Sequence, residues 1–303
     1  MAGPGAREVI ANNVGFLTLF AALPGALFYL AVTRPYAVVV APALLAYYMF
    51  NAIAAPEKSD GAPWKWLSQN FFLFAWNRAY TNLTLELPES GALDEKKMST
   101  FLKADAGNAY VFGLHPHGVD SGFRVLMEGE FYETFPAMVK HRGWRTLAAS
   151  VLFQIPIVRE LTLWTGCVDA SRKTAQRVLK RGRSVVVIPG GEAEQLITKY
   201  GVDQVLLKDR FGFVNLALEY GTKLVPAYVF GCVDAYYTSD AFFGIRKFIQ
   251  KNFRVCINIF WGRVGLCCND AKLTIVFGEP IDVPKMERPG KGASAEAKEE
   301  FKE

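Results

Sequence analysis

Two of the three histidines in this chain of 303 residues stand one residue apart, at the end of the apolar run YVFGLHPHGVD, Tyr110 to Asp120. Imidazole changes charge near neutral pH, so His115 and His117 are the side chains best suited to move a proton. Pro116 fixes its own φ and biases His115 away from helix, which predicts a stiff turn sending the two rings in different directions. One ring is then expected to act on substrate and the other to bond within the protein. Gly118 allows close approach of a ligand to the backbone, and a helix beginning near Ser121 is expected to offer free amide N–H groups to an anion. Asp120, five positions after His115, gives H-x-x-x-x-D, a spacing that predicts a carboxylate holding the imidazole and stabilising its charged form. H-x-H also opens some zinc sites, but these need more ligands. Val119 and Asp120 stand where H-x-H-x-D-H requires Asp and His, His141 is the one histidine left, and there is no C-x-x-C pair. No metal is expected.

A second turn, SVVVIPGGEAEQL from Ser184 to Leu196, leaves another β-type run through Pro189, Gly190 and Gly191. Glu192 and Glu194 then begin a helix. Such a carboxylate orients an imidazole, binds a hydroxyl, or simply complements the positive end of the helix. No Gly-Lys-Ser/Thr follows, so this is not a phosphate loop, and no G-x-S-x-G offers a serine nucleophile.

The elements that must carry these turns alternate. Ala109 to Leu114, Ser184 to Ile188, Leu224 to Phe230 and Leu273 to Phe277 have strand composition. A helix capped by Ser171 and ended by Gly182, and one capped by Asp209 and ended by Gly221, fall between them. The pattern predicts an α/β fold, a mainly parallel sheet covered by helices on both faces, with the histidine turn and the Pro-Gly-Gly turn at one sheet edge.

Ahead of this lie two apolar stretches, Val14 to Val32 and Tyr36 to Ala55, each near the roughly 20 residues that cross a bilayer as a helix. Only Thr33, Arg34 and Pro35 link them, which predicts an uncleaved N-terminal helical hairpin in the membrane with both outer ends on one side. Pro24, Gly25 and Pro42 favour a shallow, re-entrant version. Trp64 to Tyr80, rich in aromatic residues among Lys and Arg, fits either a headgroup layer or a core helix. The expected divisions are residues 1–62, the membrane hairpin and its link; 63–106, the interfacial aromatic segment and lead-in; 107–288, the α/β domain; and 289–303, a charged tail.

Composition agrees with this layout: 51% of residues are hydrophobic, and the net charge of +5 suits an anionic membrane surface or a phosphate-bearing substrate. It is too mild for a nucleic-acid partner. Five cysteines, an odd number without regular spacing, suggest reduced thiols facing a cytosol-like compartment.

Four stretches in order, YVFGLHPHG (Tyr110 to Gly118), PGGEAEQL (Pro189 to Leu196), RFGFVNLALEYGTKLVPAYVFG (Arg210 to Gly231) and VFGEPIDVPK (Val276 to Lys285), resemble the diacylglycerol acyltransferase type 2 family. That family includes monoacylglycerol and wax-alcohol acyltransferases. The resemblance implies acyl-CoA as co-substrate with no other cofactor. It also implies a neutral lipid acceptor with a free hydroxyl, diacylglycerol above all, and an endoplasmic reticulum membrane location with the catalytic domain facing the cytosol and access to lipid droplets. Carried over residue by residue, it assigns function to His115, Pro116, His117, Gly118, Glu194 and Arg210, with Gly190 and Gly191 lining the substrate side. Where the family has Phe-Gly-Glu, this chain has Phe230, Gly231 and Cys232. The basic run HRGWR, His141 to Arg145, is a candidate contact for CoA phosphates or anionic headgroups. A homo-oligomer is one expected assembly, though no residue pattern selects it.

The mechanism expected is direct transfer, a histidine taking the acceptor's hydroxyl proton as the oxygen attacks the thioester, with amides near Gly118 steadying the oxyanion. His117 is the favoured base, with His115 and Asp120 a second choice and Glu194 orienting. Acylation of a lysophospholipid by the same residues is an alternative, and a hairpin-anchored lipid-droplet protein is the non-enzyme alternative.

Overall fold

Every residue of Tyr110–His115 (β3) is buried, and a strand buried on both faces belongs inside a sheet. A computed structural model describes residues 13–14, 17–33, 36–87, 91–92, 109–135 and 142–286; His141, the Arg34–Pro35 link and the charged tail lie outside them. The other strands are Thr84–Leu87 (β1), Gly91–Ala92 (β2), Trp144–Ala148 (β4), Cys167–Asp169 (β5), Ser184–Val187 (β6), Lys223–Phe230 (β7), Tyr237–Ser239 (β8), Ile259–Trp261 (β9) and Thr274–Phe277 (β10). Eight form one sheet in the order β2-β1-β10-β7-β3-β6-β4-β5, and β8 pairs with β9 separately. From β7 to β5 all neighbours are parallel. β10 runs antiparallel to β7, and β2 antiparallel to β1. The sheet is mainly parallel, as expected, with β3 at its centre.

Alternation along β3 divides the core. Tyr110, Phe112 and Leu114 face Phe123, Met127 and Phe131 of helix Phe123–Thr134, while Ala109 and Val111 face helices Arg172–Lys180 and Gly212–Tyr220. Helices thus cover both faces. The rings of Phe112, Phe131, Phe135 and Phe277 lie 4.7 to 6.4 Å apart, mostly edge-on or tilted. Burying each such ring contributes roughly 2–3 kcal/mol.

In chain order the helices are Leu23–Val32 (α1), Ala37–Ala54 (α2), Lys65–Asn70 (α3), Phe72–Thr81 (α4), Phe123–Thr134 (α5), Val158–Trp164 (α6), Arg172–Lys180 (α7), Gly191–Ile197 (α8), Gly212–Tyr220 (α9) and Phe243–Phe253 (α10). Gly221 ends α9 in the left-handed region, as expected. Its start is different: Arg210 N–H bonds to Leu207 O, a turn that absorbs Asp209, and Phe211 rather than Asp209 stands at the N-cap. α5 also begins two residues later than expected, because Ser121 takes a φ of +50°.

At the N-terminus, the helical stretch Ala37–Lys58, 22 residues with mean hydropathy 1.8, is long and apolar enough to cross a membrane. α1 has 10 residues. Neither α1 nor α2 buries a residue in the protein. The end of α2 is fastened to the domain, with Tyr47 Oη donating to Glu160 at 2.6 Å and Tyr48 Oη to Gln154 O at 2.9 Å. The aromatic segment is divided between core and surface. Leu67 and Leu73 are buried, while Trp64, Trp66 and Phe72 stay exposed.

Candidate active site

β6, β3 and β7 lie side by side and run the same way, so the turns that follow them emerge at one sheet edge. Ligands reach parallel sheets at this edge. His115 is the last residue of β3, opposite Tyr228 of β7. It is 9% exposed, its ring lies edge-on to Phe213 at 6.3 Å, and its Nδ1 is buried with no hydrogen-bond partner among the described residues. Burial pushes its pKa below the ordinary histidine value, against a smaller upward pull from the Glu194 charge. His117 differs. Its Nδ1 lies 3.1 Å from Gly118 O, and since a carbonyl only accepts, Nδ1 carries the proton there. Burial lowers its pKa as well. One ring is thus bonded internally and one is not, and the free one is His115.

Glu194, fully buried, does not bond to either ring. Its Oε1 accepts the backbone N–H of His117 at 2.5 Å, and its Oε2 accepts the N–H of Leu206 at 2.6 Å. Glu194 is a staple between two backbone segments: it holds the histidine turn through the His117 N–H and reaches the imidazole rings by charge rather than by a hydrogen bond. Gly190 is required by it, since a Cβ there would overlap the carboxylate. Gly191 starts α8 at φ +55° with open space where a Cβ would sit. Gly118, at φ +66°, turns its carbonyl to Thr198 Oγ1, which donates at 3.4 Å. Pro116 is buried behind the turn, where Cys232 Sγ lies 3.8 Å from its carbonyl.

The expected pairing of Asp120 with His115 does not form. Asp120 accepts the Gly122 N–H at 2.9 Å, and the imidazole whose charge it feels is that of His117. This short side chain prefers its own turn to a ring five residues back. Burial raises its pKa. The same bond, with Arg124 N–H to Ser121 O and Val125 N–H to Gly122 O, occupies the amides expected to await an anion.

Two supports escaped sequence reasoning. Gln195 Nε2 donates to Val119 O at 2.6 Å, and Asn258 Nδ2 donates to Val119 O at 3.3 Å and to Gln195 O at 2.9 Å. Gln195 lay beside Glu194 in the motif; Asn258 carried no signal. Arg210 has no ion pair or side-chain hydrogen bond among the described residues, and its loop is pinned at Leu206 by Glu194. Within the HRGWR run, His141 lies outside the described residues, Arg142 is exposed and donates to Arg181 O, and Arg145 is buried and meets Asp60, the carboxylate that also pairs with Arg181 and Arg183. Arg145 is therefore not a phosphate contact.

A family model for diacylglycerol acyltransferase matches residues 28–303. The chain belongs to the diacylglycerol acyltransferase family. It is 32% identical over 216 residues to diacylglycerol O-acyltransferase 1 of Schizosaccharomyces pombe, covering 65% of this chain and 61% of that protein. It is 34% identical over 203 residues to diacylglycerol O-acyltransferase 2 of Mus musculus, 59% of this chain and 50% of that one. With acyl-CoA wax alcohol acyltransferase 2 of Mus musculus it shares 32% over 198 residues, 59% of this chain and 58% of the other. The chain thus spans about half to three fifths of the length of these relatives. The family resemblance carried by the four motifs is borne out. Cys232, where a family glutamate was expected, is a buried neutral thiol whose pKa burial drives upward.

Proposed function

We propose that this member of the diacylglycerol acyltransferase family transfers a fatty acyl group from acyl-CoA to the free hydroxyl of diacylglycerol, giving triacylglycerol and free CoA thiol. The observation that carries this reading is His115 at the end of the central strand, its ring Nδ1 buried without a hydrogen-bond partner among the described residues and its environment favouring the neutral imidazole, the form that accepts a proton. His115 takes the hydroxyl proton as the acceptor oxygen bonds to the thioester carbon. The tetrahedral intermediate collapses by breaking the C–S bond, and the proton passes to the departing thiolate. His117, Glu194, Gly190 and Gly118 hold the turn; Gly191 gives α8 its entry; Arg210 meets a CoA phosphate. No covalent enzyme intermediate is needed.

The membrane assignment follows from α1 and α2. The five π-helical residues Thr18–Ala22 run directly into the 10 residues of α1, and together they fall short of the roughly 20 residues that span a hydrocarbon core as a helix. Tyr47 and Tyr48 hold the last turns of α2 against the domain. Both features support a re-entrant hairpin in the endoplasmic reticulum membrane, with the catalytic domain on the cytosolic side and access to lipid droplets.

The test is transfer from labelled acyl-CoA by membranes containing the protein, offered diacylglycerol, monoacylglycerol, fatty alcohol and lysophospholipid in parallel, with His115→Ala alongside. Labelled triacylglycerol that disappears in the variant is the expected result. The wax-alcohol relative makes fatty alcohol the second acceptor to compare. Membrane binding without transfer to any acceptor would leave only the non-enzymatic reading.

A further inference from the structure

α10 is amphipathic the wrong way round for water. Its inner face is polar: Arg246 is buried and donates to Ala241 O at 2.9 Å and Ser239 O at 2.6 Å, and buried Gln250 donates to Glu192 of α8 at 3.4 Å. Its outer side carries Ile245, Phe248 and Phe253, exposed by 61%, 63% and 67%, with Phe242 at 73% just before them. A surface helix in water buries its apolar stripe and exposes its polar one, and clustered exposed aromatic residues mark a contact with an apolar phase. Lys247 and Lys251, also exposed, flank this side without ion pairs among the described residues.

A side-chain contact links the loop after β9 to the start of the N-terminal helices. Exposed Trp261 and Val264 follow α10 in the chain, and Asn13, four residues before the apolar helix at Leu17, donates to Val264 O at 2.8 Å and accepts from Leu266 N–H. The loop after β9 is therefore level with the base of the N-terminal helices.

We propose that the outer side of α10 is a second membrane-contact surface. It lies in the headgroup and upper acyl layer of an anionic leaflet, with Ile245, Phe248 and Phe253 inserted and Lys247 and Lys251 on lipid phosphates. The apolar face supplies the burial and the lysines the attraction to an anionic surface. The charge identifies the occupant as anionic lipid rather than another protein. Because α10 packs on α8, which carries Glu194, this contact holds the histidine turn beside the leaflet that contains the acceptor. The proposal rests on the membrane reading of the N-terminal helices and extends it to a part of the chain far away in sequence.

A nitroxide label tests it on the full chain. Phe248→Cys and, separately, Lys173→Cys on the exposed side of α7 are labelled in a Cys256→Ser background and reconstituted into phosphatidylcholine vesicles containing phosphatidylserine. The ratio of oxygen to water-soluble nickel-chelate collisions is expected to be several-fold higher at position 248 than at 173. It should fall toward the position 173 value when Lys247 and Lys251 are both changed to Glu. Equal ratios at the two positions overturn the proposal, as does shelter of position 248 from both reagents, which means a protein partner. Flotation of the same vesicles separates the readings: protein that floats with a water-exposed 248 keeps the hairpin and loses α10, and protein that does not float loses both.

Discussion

At the scale of single residues, the two histidines have different environments and so should fail differently. His115→Ala removes a general base, for which the expected loss in transfer rate is about a hundred- to ten-thousand-fold at unchanged abundance. His117→Ala keeps its backbone N–H on Glu194 and loses the ring bond to Gly118 O, so a smaller loss is expected. Equal, near-normal rates in both variants at matched expression would remove the turn from the chemistry. Burial lowers both histidine pKa values from 6.5. The base is active when deprotonated, so kcat/KM should rise with pH and level off with a midpoint below 6.5; a midpoint above it would contradict a buried base. Glu194→Gln leaves one acceptor oxygen for two backbone donors, and a buried N–H facing an amide NH2 costs about 1–3 kcal/mol. Stability should fall by that amount, with the rate reduced less than in His115→Ala. The position of these groups was legible because imidazole and Pro-Gly-Gly are rare signals at strand ends. Their partners were not, because Glu194 and Asp120 bond to backbone N–H groups, which every non-proline residue presents alike.

At the scale of elements, the central strands were legible because burial on both faces leaves continuous apolar runs. β4 and β5 were not: Trp144–Ala148 contains Arg145 and Thr146, and Cys167–Asp169 has three residues. The antiparallel entry of β10 was equally hidden, since periodicity reports burial and says nothing of direction. β4 is nonetheless tied to α5 by a buried hydrogen bond, Trp144 Nε1 donating at 2.6 Å to Glu128. Burial raises the Glu128 pKa from 4.5 to about 7. A carboxyl whose pKa is raised by folding contributes stability below pH 4.5, loses it progressively up to about 7, and has lost it above. Glu128→Gln keeps an acceptor for Trp144 and abolishes this slope. Thermal unfolding in detergent should therefore show the variant gaining on the parent by about 3 kcal/mol between the acidic and alkaline ends of that window. Parallel curves for the two proteins would mean that Glu128 is already ionised throughout.

At the scale of the whole molecule, the proposed membrane attachment is spread over the chain. Deleting residues 1–55 should weaken flotation with vesicles without abolishing it, because Trp66, Phe72 and the outer side of α10 remain exposed. A wholly soluble truncated protein at physiological salt would assign those groups to some other contact. In the proposed hairpin both outer ends lie on one side of the membrane. Protease treatment of sealed microsomes should digest an N-terminal tag and the domain together. The position of β3 bears on a different matter, the order of synthesis. Val111 pairs with Val185 on one side and Leu224 on the other, so neither neighbour of the histidine strand exists when that strand leaves the ribosome. Long-range parallel pairing of this kind forms late. If the N-terminal helices anchor the chain as proposed, the nascent chain is held at a membrane well before its candidate site exists, and a product that stops short of Phe230 carries an apolar strand with an unpaired edge beside its neighbours there.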